Sequence, residues 1–136
     1  MTKETLLFNY SDASLLLAIG FASQRGPATL ETIIGAGDGI NFEIFSAEEL
    51  ESGLARLTEA GYIEEKANAF FLTEKVKPES ESFLAKRRSI DKRLRDVREM
   101  LGAASSPFDE QPHKNTLRYT GFSREQYDEV IKRYQQ

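Results

Sequence analysis

SAEELESGLARLTEAGYIEEKANAFFLT, residues 46 to 73, contains in unbroken succession a capped amphipathic helix, a glycine stop and a two-strand hairpin. Ser46 and Glu49 have capping-box spacing: the serine oxygen accepts a backbone N–H of the first turn and the glutamate reaches back to the serine N–H. Leu50, Leu54 and Leu57 then recur at steps of four and three, one buried stripe at helical period. Gly61 stands where a left-handed residue closes a helix. Beyond it Ile63 alternates with Glu64 and Lys66, and Phe70 alternates with Leu72. Asn68 between the two runs tolerates turn geometry, so a short hairpin follows the helix.

Composition narrows the setting. At 136 residues and 40% apolar content the chain can bury one core, which points to a single domain with an extension. With no cysteine, disulfides, thiolate metal sites and cysteine nucleophiles are excluded, and a reducing compartment fits. The N-terminal MTKETLLFNYSD lacks a signal-peptide core, and no segment approaches the roughly 20 apolar residues of a membrane span. The expectation is a soluble cytoplasmic protein.

The net charge of −4 conceals an asymmetry. Residues 1–75 carry 5 Lys or Arg against 12 Asp or Glu, whereas residues 76–136 carry 13 against 10. Basic charge concentrates in Lys86, Arg87, Arg88, Lys92, Arg93, Arg95 and Arg98, opposed within that stretch by Asp91 and Asp96. An acidic body thus carries one basic element.

Ahead of the central stretch, Ser11 or Asp12 can cap a first helix through Leu15, Leu16, Leu17, Ile19 and Phe21, apolar nearly all round and therefore sandwiched. Gly26 and Pro27 break the chain. Thr29 or the Pro27 position opens a second helix with Leu30, Ile33 and Ile34 inward, and Gly35, Gly37 and Gly39 are expected to end it. NFEIF, residues 41–45, reads as a strand able to join the hairpin as a three-stranded edge. Beyond residue 76, Pro78 can open a long helix to Leu101, closed by Gly102. Its seam of Phe83, Ile90, Leu94, Val97 and Leu101 suits packing on the domain or on a second copy. This long helix is expected to cover Phe71. A proline-containing linker follows, then a helix capped by Ser123 and Gln126, with Phe122 and Tyr127 as a staple and Tyr127, Val130, Ile131 and Tyr134 as its apolar stripe. The expected fold is mainly α with a small β-hairpin wing (α+β), divided into 1–76, a long basic helix at 77–103, and a linker with docking helix at 104–136.

Leu54, Leu57, Ala60, Gly61, Tyr62, Ile63, Phe70, Leu72 and Thr73 form a phrase that resembles the winged helix-turn-helix domains of bacterial transcription regulators of the multiple-antibiotic-resistance and phenolic-acid types. The resemblance covers Ser11 to Thr73, about half the chain. It implies a DNA-binding protein acting as a dimer in transcriptional control, with the helix from Ala47 to Ala60 in a major groove and the hairpin on the neighbouring backbone.

The residues themselves restrict that picture. With the leucines inward, the outward positions of the helix are Glu48, Glu51, Ser52, Ala55, Arg56 and Glu59, and carboxylates repel phosphates. Arg56 and Ser52 are the candidate base readers, and Lys66 and Asn68 lie at the wing tip. Arg88, Lys92 and Arg95 form the outer ridge of the basic helix, suited to phosphates but not to reading bases. The alternative is a protein-interaction module whose acidic helix face meets a basic protein partner. The glycines of GAGDG have neither the strand-before-helix setting of a dinucleotide fingerprint nor a P-loop lysine; Asp38 among them is expected to bond the backbone of a turn. His113, the sole histidine, falls in the linker without a fixed neighbour. No catalytic residue, metal site or cofactor is expected.

Overall fold

A computed structural model describes residues 8–41, 44–76, 84, 89–103 and 118–135. Among the described residues, five helices and a two-stranded antiparallel sheet make an α+β fold with a small wing: α1 (Tyr10–Arg25), α2 (Leu30–Asn41), α3 (Ala47–Glu59), β1 (Ile63–Lys66), β2 (Ala69–Leu72), α4 (Ile90–Leu101) and α5 (Arg124–Tyr134).

α1 is the axis. Every residue from Ser11 to Gly20 is buried, because α2, α3, α4 and β2 all pack against it. This is the sandwiched setting that an all-round apolar helix requires. Its N-cap is Asn9, two residues before Ser11 and three before Asp12, the expected caps: Asn9 is extended, and its backbone N–H donates to Asp12 Oδ2 at 2.8 Å.

α3 forms as its sequence dictates. Glu49 N–H donates to Ser46 Oγ at 3.0 Å and Ser46 N–H to Glu49 Oε1 at 2.8 Å, the reciprocal capping box. Leu50, Leu54 and Leu57 are at most 1% exposed, each contributing about 1.5–3 kcal/mol by burial. Past its end Gly61 has φ 85°, and Lys75 Nζ donates to the Ala60 carbonyl at 2.9 Å, satisfying an orphan acceptor where positive charge is favourable. The hairpin pairs Ile63 with Leu72 and Lys66 with Ala69 around Ala67 and Asn68. Ile63 and Phe70 face the core and Phe71 the other way.

Four expectations are corrected. α2 runs through Gly35, Gly37 and Gly39, and the missing side chain of Gly37 admits a neighbour: a Cβ there would lie 2.2 Å from the Phe45 ring. Asp38 is accordingly helical and accepts the Tyr134 hydroxyl at 2.7 Å. NFEIF supplies no strand among the described residues: Asn41 ends α2, and Ile44 and Phe45 are irregular. The third partner of the sheet is Ala28, whose carbonyl accepts the Phe70 N–H at 3.0 Å. Of the long helix expected from Pro78, residues 77–83 and 85–88 lie outside the described residues; its C-terminal part is α4, which starts at an N-cap where Ser89 is extended and its Oγ takes the Lys92 N–H at 3.2 Å. Phe71 is 39% exposed rather than covered.

α4 lays Leu94, Val97 and Leu101 against α1 and closes at Gly102 with φ 67°. Arg93 and Arg98 lie over the rings of Phe21 and Tyr10 at 5.1 and 5.5 Å. α5 starts from the expected Ser123–Gln126 box and packs on α2, with Val130 buried. A cleft of about 810 Å³ opens between α1, α2 and α4, floored by Phe21, Gly35, Gly39 and Ile90 and bordered by Arg93. No helix among the described residues is long and apolar enough to cross a membrane.

Candidate interaction face of α3 and the wing

Arg56 decides what α3 presents. Its Nε and Nη2 each donate to one oxygen of Asp12 at 2.8 Å, and both side chains are fully enclosed, 1% and 0% exposed. Gly53, one turn before Arg56, makes this possible: a Cβ there would stand 2.6 Å from Leu15 Cδ2 and 3.0 Å from Asp12 Oδ1. α3 therefore sits close on α1, and a flat bidentate pair fits between them. Two charges so buried are tolerated because each is matched by the other, and Asp12 also accepts the Asn9 N–H. Arg56 Nη1 has no partner among the described residues. The outward, base-reading position expected for Arg56 is thus corrected; the guanidinium belongs to the interior.

The other sequence candidates separate. Ser52 is half-buried; its Oγ donates to the Glu48 carbonyl at 2.8 Å and accepts from Arg56 Nη2 at 3.4 Å. Lys66 is exposed on the wing within 3.7 Å of Glu64. Asn68 is exposed in the turn with φ 64°. Lys92 and Arg95 are exposed on α4, on the side of the molecule not packed on α1. Arg88 and His113 lie outside the described residues. The structure gathers Ser52 and Arg56 beside Asp12 and leaves Lys92 and Arg95 on a different element.

What remains exposed on α3 is Glu48, Thr58 and Glu59, and the wing adds Glu65, while Glu64 points to the opposite side of the hairpin with Phe71. Across this acidic face runs the segment leading into α5. Tyr119 N–H donates to the Glu51 carbonyl at 2.9 Å and its hydroxyl to Glu65 Oε2 at 2.5 Å. Its ring meets Phe70 edge-on at 5.4 Å. Arg124 Nε and Nη2 donate to the two oxygens of Glu51 at 3.0 and 3.2 Å. Further along, Tyr127 donates its hydroxyl to the Phe45 carbonyl at 2.5 Å. Burial foremost, then the Glu65 hydrogen bond and charge, holds the Tyr119 phenol well above its ordinary range. The Glu51 hydrogen bond raises the Arg124 guanidinium likewise.

Asp12, Tyr119 and Arg124 were not among the sequence-derived site residues. Asp12 carried a signal, as an acid inside an otherwise apolar helix, and Gly53 three positions before Arg56 marked a face of close approach. The partners of Tyr119 and Arg124 lie 54 and 73 residues away, a separation on which local pattern is silent.

Together these elements define an α+β domain in which α1 to α4 and a two-stranded wing are joined by a strap, residues 118–135, that crosses α3, the wing and α2. No protein-family model, no curated protein and no solved structure matches the chain.

Proposed function

We propose that the chain is a winged-helix protein-interaction module, working in the cytoplasm, whose α3–wing face receives a basic protein partner. The observation that carries this reading is the burial of Arg56 against Asp12. It withdraws the one cation of α3 and leaves carboxylates outermost, a potential that attracts a cationic partner and repels phosphate. The experiment is a photocrosslinking residue placed at Glu48 or Glu59 in the intact chain. Protein adducts from these positions, lost when Glu65 is changed to Lys, support the reading; adducts confined to a crosslinker at Lys92 overturn it.

A second reading is a DNA-binding transcription regulator acting as a dimer, favoured by the exposure of Lys92 and Arg95 on α4. Fluorescence anisotropy with labelled mixed-sequence duplex DNA separates the two. The interaction module gives no binding even at low salt. Binding that weakens steeply with salt, and that is lost on Lys92→Glu with Arg95→Glu, selects DNA.

A further inference from the structure

The face offered to a partner is already covered in part by the chain itself, and the chemistry of that cover is specific. Glu51 and Glu65 supply carboxylates from α3 and β1, Glu51 also supplies a backbone carbonyl, and Phe70 supplies an aromatic floor. The occupant answers with a guanidinium, a phenol O–H, a backbone N–H and a ring edge. Between Tyr119 and Arg124 the chain folds back on itself: a Cβ on Gly121 would stand 2.0 Å from the Tyr119 oxygen, so this loop requires a residue without one. Phe122 closes on Tyr119 at 5.8 Å.

Resting on the interaction-module reading, we propose that the α3–wing face is a docking site for a segment presenting a tyrosine and an arginine in the arrangement of Tyr119 and Arg124. Residues 118–124 are the chain's own occupant, and a partner segment of the same chemistry reaches the site by displacing them. The contrast with the Asp12–Arg56 pair sets the strength of this contact. That pair is enclosed, whereas Arg124 is 57% exposed, and exposed pairs of this kind are individually weak. Tethering raises the effective concentration of the tail, so weak contacts suffice to fill the site in cis while leaving it open to competition. Glu48, whose charge reaches Arg124, and Glu59 on the same helix add long-range attraction for a basic segment arriving from outside.

The test uses the full chain and a labelled synthetic peptide of residues 118–135, followed by fluorescence anisotropy. In the unaltered chain the tail competes and the peptide binds weakly. Arg124→Glu sets a carboxylate against Glu51, weakens the tail in cis, and is expected to tighten peptide binding about tenfold, since apparent affinity scales with the fraction of open site. Adding Glu51→Gln and Glu65→Gln removes the gain. Equal affinity in the unaltered and Arg124→Glu chains overturns the proposal. Should Arg124→Glu fail to fold by circular dichroism, Tyr119→Phe keeps the ring on Phe70 and removes the bond to Glu65; a gain of about threefold is expected, and no gain overturns the proposal. The two readings fail differently. A protein crosslinked at Glu48 or Glu59 without any peptide gain defeats the docking-segment proposal alone, while a peptide gain without protein adducts defeats the interaction-module reading on which it rests.

Discussion

Arg56 and Asp12, 44 residues apart in sequence, meet through two hydrogen bonds of 2.8 Å in the space between α3 and α1. The pair joins the helix that leads the wing to the axis of the domain. Removing one partner leaves the other charged and buried, which costs about 3–5 kcal/mol, whereas replacing both by apolar residues of similar volume is close to neutral. Asp12→Ala is therefore expected to lower unfolding free energy by about that amount in urea denaturation, and Asp12→Leu with Arg56→Met to recover most of it. A loss below about 1 kcal/mol for Asp12→Ala would show that the guanidinium finds water in place of the carboxylate.

Gly37 and Gly39 differ in what surrounds them although both lie within α2. A Cβ on Gly37 collides with the Phe45 ring at 2.2 Å, while one on Gly39 meets nothing within 4 Å. Phe45 is itself enclosed and has nowhere to retreat. Gly37→Ala should cost roughly 1–3 kcal/mol through overpacking, and Gly39→Ala should stabilise by up to about 1 kcal/mol through helix propensity. Thermal unfolding of the two single variants checks the opposite signs.

The glycines also show where sequence reading stops. Each is a poor helix former, so a run of three in GAGDG reads as a terminator when propensity alone is weighed. Tertiary packing overrides it here, because the Phe45 ring occupies the space a side chain at Gly37 would fill. The capping boxes at Ser46 and Ser123, the Gly61 and Gly102 stops and the Leu50–Leu54–Leu57 stripe were legible because each is a local bond or a local period. The candidate face was legible only in its acidity. Arg56 stands at a position that helical geometry places beside the leucine stripe, and whether it turns outward or inward depends on Asp12, two elements earlier. Ala28, a single residue pairing with Phe70, is too short to leave any alternating pattern.

Ala67 and Asn68 form the wing turn with φ values of 52° and 64°, the doubly left-handed conformation that suits the twist of a two-residue hairpin. Asn68 adopts it readily. Ala67 carries a Cβ that crowds the following carbonyl there, a strain of roughly 1–2 kcal/mol. Ala67→Gly removes that strain and adds freedom to the unfolded chain, for a net gain of about 0.5–1 kcal/mol. Chemical denaturation measures the gain, and amide exchange at Lys66 and Ala69 locates it. Ala67→Val at the same position should move both readouts the other way.

Tyr119, Tyr127 and Tyr134, three of the five tyrosines, anchor the strap by donating their hydroxyls to Glu65, the Phe45 carbonyl and Asp38. All three are held above the ordinary tyrosine value of 10.0: Tyr119 and Tyr127 chiefly by burial, Tyr134 chiefly by its bond to Asp38. The sign follows from which form the fold binds. A neutral phenol can donate, whereas a phenolate next to Glu65 or Asp38 has lost its donor and repels the carboxylate. The contribution of these tyrosines is thus complete below the unfolded value of 10.0 and is lost as pH rises through the raised folded values. Tyrosinate absorbance should show these three titrating later than free tyrosine, and limited proteolysis should show the strap opening only in that alkaline range. Tyr119→Phe with Tyr127→Phe and Tyr134→Phe should loosen the strap at neutral pH and abolish its alkaline transition. Release on mild acidification instead would mean that the carboxylates, ionised and bonded to Arg124 and the tyrosines, are what holds the strap.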